Sequence, residues 1–470
     1  MTRTHGYQLA DFDGVDLSAA MTAETDRDLV AHLSKGPLQE DLTFAYWRPS
    51  RGATRYTAVL EKLNLPQDGD RLLQGNVAFT AQYLSRALSE CPEGAGIALL
   101  HSHLGPGWQG MSSDDVVAER DQLASIVAST TGLPCLGLTW GTDGTWSARF
   151  WLRAGRFDYR RRWAATVRSV GRQLRISYHP TLQPPPQAAE SQVATRSVWG
   201  ELAQQDLART HVGIVGLGSV GSIVAEALSR TGIQRITLID PDTIQERNLD
   251  RTLGAYPADS AAAVSKVEVI KRLVGESHTA THFAAKPVPT GLQTESGLRN
   301  ALDCDVLLSC VDRPWPRHIM NVVAYAHLIP VIDGGILARV REDGRLLHVD
   351  WRIHTVGPDH ACLECIDALR RSDVALDRDG MLDDPDYIKG LSEAERERYA
   401  RRNVFAFSLS VAAHQVLQLV GLVTGNPRVG GIGPQSYHAY PGKMEVAAWA
   451  VCKDDCDIQA LTASAEPDVV

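Results

Sequence analysis

The apolar runs of this chain fall into two series with different punctuation, separated by a proline-rich gap. In the first series, residues 1–35 read as helical and partly exposed, and from Glu40 the pattern turns strand-like. The runs DLTFAYW (41–47), ATRYTAVLE (53–61) and GIALLHSH (96–103) are short, rich in β-branched and aromatic residues, and bounded by turn formers. VVAERDQLASIVAST (116–130) has the period of a helix, with Ser112 placed to cap it, and CLGLTW (135–140) and WSARFWL (146–152) return to strand. The gap, HPTLQPPPQAAESQ (179–192), holds four prolines and few apolar residues; proline fixes φ and removes a donor, so this predicts an extended linker.

In the second series, strand, glycine turn and helix alternate: VGIVG (212–216), SIVAEALSRTG (222–232), RITLID (235–240), SKVEVIKRLV (265–274), VLLSCVD (306–312). Such alternation predicts a doubly wound, mostly parallel sheet with helices on both faces. A charged stretch (369–403) reads as a crossover or lid and precedes a long apolar helix (404–423). The fold class expected is therefore α/β throughout, with one unit at 1–165, a connecting segment at 166–192 and a second unit at 193–470.

Composition changes this picture little. A chain of 470 residues is too long for one ordinary core, and its 44% hydrophobic and 22% charged content is that of a globular protein. The net charge of −9 argues against a nucleic-acid binder. One basic stretch, Arg153 to Arg175, reads as the solvated face of a connecting helix, or else as a docking surface for an acidic protein. The N-terminus lacks an apolar export core and no stretch reads as the roughly 18 apolar residues of a membrane span, so a cytoplasmic location is expected. Of eight cysteines, four form the close pairs Cys362/Cys365 and Cys452/Cys456, which favour metal over cystine.

Candidate chemistry lies in three places. His101 and His103 are two apart on a strand, so both can face one ion. Neutral imidazoles suit zinc; Asp115, with Asp114 as its alternative, would be a third ligand and leave a position for water. Zinc lowers that water's pKa, and a carboxylate base is still needed; Glu40 is the candidate, although Glu90 and Glu93 also precede the histidines. The order Glu…His-x-His…Ser-x-x-Asp resembles the JAB/MPN (JAMM) zinc metalloproteases, which cleave peptide or isopeptide bonds after ubiquitin-like proteins. The resemblance gives Ser112 an oxyanion-stabilising role. Leu104 stands where that family usually has proline, and the loop from His103 to Ser112 is one residue longer.

Gly216, Gly218 and Gly221 follow a strand and open a helix, the context in which backbone N–H groups approach phosphate, and Asp240 ends the next strand. Those features alone would suit an NAD(P)-dependent oxidoreductase. Asp242, Asn248, Arg251, Lys266 and Asp312 add the cations and carboxylate that polyphosphate with Mg²⁺ requires. GLGSVG, DPDTIQERNLDR, SKVEVI, SCVD and VIDGG together resemble the ThiF/MoeB adenylyltransferases, related to ubiquitin-activating enzymes. That resemblance implies ATP-dependent adenylation of the terminal glycine of a small β-grasp carrier and a homodimer. In it Asp240 binds ribose, Asn248, Arg251 and Lys266 bind phosphates, and Arg196 reaches a neighbouring site; Thr252 replaces the family's usual glutamine. It also implies a structural zinc on Cys362, Cys365, Cys452 and Cys456, four thiolates that close a tetrahedron, with a redox pair at Cys362/Cys365 as the alternative. Residues 366–403 contain no cysteine, so a carrier thioester is not expected.

Together these imply a carrier-processing enzyme with one catalytic and one structural zinc, ATP and Mg²⁺, whose partners are a β-grasp carrier and a conjugating-enzyme-like protein. The alternatives are sulfur-carrier activation, the oxidoreductase, and a non-catalytic carrier-binding scaffold.

Overall fold

The computed structural model describes residues 7–467 except 35–38, 75, 109, 188, 342, 393–395, 397–401, 427, 429–432 and 448. Its first sheet has nine strands: β1 (Asp16–Thr22), β2 (Leu42–Arg51), β3 (Arg55–Asn64), β6 (Gly96–Ser102), β7 (Cys135–Trp140), β8 (Trp146–Arg153), β9 (Tyr159–Trp163), β10 (Thr166–Val170) and β11 (Leu174–Tyr178). A separate hairpin, β4 (Arg71–Gln74) and β5 (Asn76–Phe79), stands beside it. The spatial order is β11-β10-β1-β3-β2-β6-β7-β8-β9.

Three sequence expectations fail here. Of residues 1–35, those described (7–34) are helical at Ala23–Leu33 and in a short turn at Leu9–Phe12 and otherwise not. Residues 16–22 instead form β1, flanked by β3 and β10; Leu17 to Met21 are all buried, so a strand paired on both edges overrides the alanine-rich local preference. The segment 166–178, expected to connect two units, supplies β10 and β11 to the first sheet. The basic stretch is not a helix either: Arg160 and Arg161 are exposed on β9, but Arg168 on β10 is wholly buried.

The second sheet has β12 (His211–Val215), β13 (Arg235–Ile239), β14 (Ala284–Val288), β15 (Val306–Ser309), β16 (Val331–Val340), β17 (Leu346–Val356), β18 (Gln435–His438) and β19 (Lys443–Val446), ordered β14-β13-β12-β15-β16-β17-β18-β19. The first five are parallel and the rest form an antiparallel extension. Helices Ser219–Thr231, Lys266–Ser277, Glu295–Leu302 and Pro314–Ala326 make the crossovers. The order reverses at β12, so a crevice opens where the carboxyl ends of β12 and β15 part, the position at which such Rossmann-like sheets bind ligands. Helix Phe405–Thr424 is, against expectation, long and apolar enough to cross a membrane, but over half of it is buried and it packs on helix Ser219–Thr231, β16 and β17. In the charged stretch before it, helices Arg371–Arg378 and Pro385–Gly390 are described, and Arg313 pairs with Asp377 of the first and with Asp383 in the turn between them. The rest of that lid prediction falls partly outside the described residues.

The two sheets are not beads on a linker. Ala20, Val59, Val170 and Leu174 of the first share one apolar cluster with Leu207, Leu228 and Leu422, which lie on helices, and with Val212 and Ile214 of the second. Around it, Arg55 and Arg168 both donate to Asp305, at 2.6 and 3.1 Å, and Thr54 Oγ1 donates to Asp303 at 2.8 Å. Ser50 Oγ lies 2.8 Å from His327 Nδ1, and Gln173 donates to the Gly425 carbonyl at 3.1 Å. Asp303 and Asp305 precede β15, so the first sheet sits on the amino-terminal edge of the parallel strands and leaves their carboxyl edge open.

This packing makes stability pH-dependent. Burial pushes His327 and His354 down to about 4 and His360 to about 3. Each stays neutral in the folded chain while the unfolded chain takes up its proton below about pH 6.5. Stability should therefore fall as pH drops below that point, by about 1.4 kcal/mol per pH unit for each such histidine, until the folded pKa is reached. Denaturant unfolding at about pH 7 and about pH 5 measures this, and His327→Gln should flatten the dependence.

Candidate active sites

The histidine site forms where β6 ends. His101 is its penultimate residue, and His103 N–H donates to the Trp140 carbonyl at 2.8 Å, which keeps the chain in line with β7. The two Nε2 atoms lie 3.0 Å apart. Asp115 Oδ1 is 3.4 Å from His101 Nε2, and Asp115 Oδ2 is 3.2 Å from His103 Nε2. Ser112 caps the helix that carries Asp115: its Oγ accepts from Asp115 N–H at 3.1 Å, and its own N–H donates to Asp115 Oδ2 at 2.9 Å. The same hydrogen bonds aim the carboxylate at the histidines. Asp114 is exposed and points away, 3.5 Å from Asn76 Nδ2, so the geometry favours Asp115.

Glu40 lies in the segment just ahead of β2, two residues before the strand begins. Asp41 N–H donates to Ser102 Oγ at 3.0 Å and Ser102 N–H to the Asp41 carbonyl at 3.0 Å, which pins this segment to the end of β6. Burial raises the Glu40 carboxyl above its usual range, against the pull of His103 and a hydrogen bond from Leu104 N–H. Burial, reinforced by Arg149, pushes His101 down to about 3. Burial opposes the charge on Asp115, but His103, His101 and Ser112 hold its carboxyl well below the carboxylate range. Two imidazoles and a carboxylate converging within 4.8 Å form a donor set that suits zinc.

The glycine loop follows β12. Gly216 adopts φ +89°, and a side chain at Gly221 would collide with the Gly216 carbonyl, so the loop closes only with glycine at both. Leu217 N–H donates to Asp240 Oδ2 at 2.6 Å, and Asp242 N–H to Asp240 Oδ1 at 2.8 Å. Lys266 Nζ lies 2.7 Å from Asp242 and 3.8 Å from Asp240. Burial raises the Asp240 carboxyl, with Lys266 opposing. Gly218 precedes the helix that starts at Ser219. Asn248 sits in a turn at Glu246–Asn248, its Oδ1 accepting from Gln245 N–H at 3.0 Å, and Arg251 is held by the Arg247 carbonyl and Asp250. Leu253 N–H donates to Ser222 Oγ at 3.0 Å, which lays this segment over the glycine helix. Asp312 is exposed just beyond β15, at the same carboxyl edge.

Arg196 is not brought to this site. It pairs with Glu201 at 3.0 Å, on a helix preceded by Gln192, which donates to the Thr279 carbonyl at 3.3 Å. Sequence reasoning also missed the group around Asp333. That carboxylate, fully buried, accepts from Ser309 at 2.9 Å, from Arg317 at 2.6 and 3.0 Å and from Arg352 at 2.9 Å. The signal available was VIDGG, an aspartate inside an apolar strand, which demands a buried cation. Burial raises the Cys310 thiol well above its ordinary value, and raises Cys304 to about 12, so neither is poised as a thiolate.

Cys362, Cys365, Cys452 and Cys456 place their four sulfurs within 4.8 Å of one another. Backbone N–H groups of Cys362, Cys365, Lys453 and Gln459 point at sulfurs from 3.1 to 3.4 Å, the arrangement that stabilises metal-bound thiolates. Four sulfurs leave no open coordination position, so this donor set suits a structural zinc.

The ThiF family model matches residues 190–447, beginning after the last strand of the first sheet. "Adenylyltransferase and sulfurtransferase UBA4" of Yarrowia lipolytica is 30% identical over 166 residues, which are 35% of this chain and 39% of that protein. "Molybdopterin-synthase adenylyltransferase" of Escherichia coli is 26% identical over 166 residues, 35% of this chain and 62% of that protein. The chain thus spans less than two thirds of either relative's length. E. coli MccB with succinimide, a solved structure, shares 18% identity at a TM-score of 0.42, covering 55% of this chain and 69% of that one. With more than half its length matched, the chain belongs to the ThiF family.

Proposed function

We propose that this chain processes the C-terminus of a small β-grasp carrier protein and activates it as an acyl-adenylate. The observation that carries the activation step is the convergence of the glycine loop, Asp240 and Lys266 at the open crevice of the second sheet. Lys266 holds phosphate oxygens, Asp240 the ribose, and Asp312 is placed to bind Mg²⁺. Relatives named as adenylyltransferases support this reading over the oxidoreductase.

The processing step rests on the histidine site, which we read as a JAB/MPN-like zinc hydrolase. A bound zinc would supply a water acidic enough to attack a carbonyl at neutral pH. Glu40, half-buried and with a raised pKa, takes a proton and returns it to the leaving amine. Ser112 stands on the helix cap, where its hydroxyl can stabilise an oxyanion. A homodimer would allow Arg196 to serve a partner's crevice, and a conjugating-enzyme-like protein would receive the activated carrier. Sulfur-carrier activation is the second reading, favoured by the relative named a sulfurtransferase and by the absence of cysteine from 366–403.

Because the first sheet covers the amino-terminal edge of the parallel strands and the glycine loop opens at the carboxyl edge, we infer that the two reactions are separate encounters with the carrier. Metal analysis of the purified chain tests the hydrolase reading: about two zinc ions per chain are expected, and about one in His101→Ala/His103→Ala. Loss of a carrier's C-terminal extension should disappear in the same variant. A single zinc in the unaltered chain, with the extension left intact, would refute it.

A further inference from the structure

The proposed activation brings two anions together, a terminal carboxylate and a triphosphate, and the residues placed so far meet only the nucleotide and its Mg²⁺. A second charge group stands at the same carboxyl edge. In the sheet register Ser309, the last residue of β15, lies opposite Asp333. Gly334 and Gly335 are the first residues of β16 beyond that edge, and Gly335 pairs with Arg352 of β17. Arg352 thus stands just past the end of β15, and its side chain reaches back to Asp333.

Asp333 is wholly buried, and Arg317 and Arg352 both donate to it. Two guanidiniums share one carboxylate, which leaves positive charge in excess. Burial works against the charge of Arg317, but Asp333, helped by Asp312, holds its proton more firmly than usual. Burial lowers the Arg352 guanidinium below its usual value and Arg317 adds to this, with Asp333 opposing. In the proposed reaction Asp312 is committed to Mg²⁺, so the excess remains. An ion group of this kind adds little net stability over well-packed apolar residues, so stability alone is a weak reason for it.

Arg352 is also the member within reach. Its side chain is 24% accessible, whereas that of Asp333 is 0%. Asp333 engages Nη2, while Nε is buried without a hydrogen-bond partner among the described residues. A guanidinium is a fork able to hold a carboxylate by two nitrogens, so donor capacity is left over. A side chain at Gly335 would meet, among the described residues within 4 Å, only Arg352 Nη2 at 3.6 Å. The space beside the guanidinium is open.

We propose that Arg352 receives the terminal carboxylate of the carrier. Asp333 positions the guanidinium, and the guanidinium offsets the repulsion between the incoming carboxylate and the triphosphate. A carboxylate oxygen attacks the α-phosphorus of ATP, the bond from that phosphorus to the bridging oxygen breaks, and pyrophosphate leaves with the electron pair. No proton has to move. The inference rests on adenylation being the activity of this crevice, and Arg352 lies outside every stretch that carries the family resemblance.

The test uses the full chain and a small β-grasp protein ending in glycine, prepared with a terminal carboxylate and with a terminal amide. Affinity for the two forms is measured without nucleotide in the unaltered chain, Arg352→Gln and Arg352→Met, and AMP-adduct formation on the carboxylate form is followed separately. Methionine carries the same comparison should glutamine fail to fold. The unaltered chain should prefer the carboxylate by about tenfold or more, the scale of a charge-assisted hydrogen bond, and the variants should bind both forms within about twofold. A merely structural arginine would weaken both forms alike. An AMP adduct with no carboxylate preference, or with a preference that persists in the variants, would overturn the role of Arg352 while leaving adenylation standing. A folded, unaltered chain that forms no adduct would overturn the adenylation reading and this inference together.

Discussion

Asp305→Ala should lower the stability of the chain by about 3–5 kcal/mol, the usual cost of removing one partner from a buried charge group. Asp305 is wholly buried at the start of β15 and is the shared acceptor of Arg55 and Arg168, which are 8% and 0% exposed. Burial works against its charge, but the two guanidiniums hold its carboxyl well below the carboxylate range. Without it, two buried cations face each other across the junction of the sheets, left to the carbonyls of Leu302 and Cys304 as acceptors among the described residues. The denaturant midpoint reads the loss directly. A combined Arg55→Met/Arg168→Met/Asp305→Leu protein should recover most of it, since apolar packing of similar volume is often as stable as the ion group it replaces. A midpoint unmoved in Asp305→Ala would mean that the junction is held by its apolar cluster alone.

Lys266→Ala should slow carrier-dependent ATP–pyrophosphate exchange by about 10²–10³-fold, the range found when one preorganised electrostatic partner of a transition state is removed. Lys266 is nearly buried at the start of its helix, between Asp240 and Asp242. Its backbone N–H also donates to the Asp242 carbonyl at 2.9 Å, so its position is fixed before any nucleotide arrives. With the carboxylates already neutralised in part, the amine is preorganised to meet a triphosphate. Lys266→Arg keeps the charge but not the compact ammonium and should lie between the two. Exchange within about threefold of the unaltered rate in the alanine protein would place the phosphates elsewhere.

Both candidate sites were legible because their chemistry is written in short stretches. His101 and His103 are two apart, Ser112 and Asp115 three apart, and the glycines of 216–221 adjoin the strand that aims them. What was not legible depends on distance along the chain. Arg55 and Arg168 meet Asp305 across 250 and 137 positions, so a stretch rich in arginine read as surface when one of its members is the most buried cation of the junction. Glu119 lies in a stretch whose period predicted only a helix, and the fold is what brings Arg149 and the gap at Gly137 to it. β1 was mistaken for helix because alanine and methionine favour helices locally, while its two flanking strands decide its state. The long apolar helix expected at 404–423 is present as Phe405–Thr424, but that it packs against the second sheet comes from the fold.

The account stands most directly on the fate of a carrier's C-terminus. A small β-grasp protein bearing a C-terminal extension would be incubated with the chain, ATP and Mg²⁺, and its intact mass followed by mass spectrometry. The account predicts loss of the extension, then gain of an AMP adduct. Lys266→Ala should leave the first step and remove the second, and His101→Ala/His103→Ala should block both for the extended carrier but not the adduct of a carrier already trimmed. A zinc-loaded, folded chain that trims nothing and leaves the trimmed carrier without an adduct would contradict it.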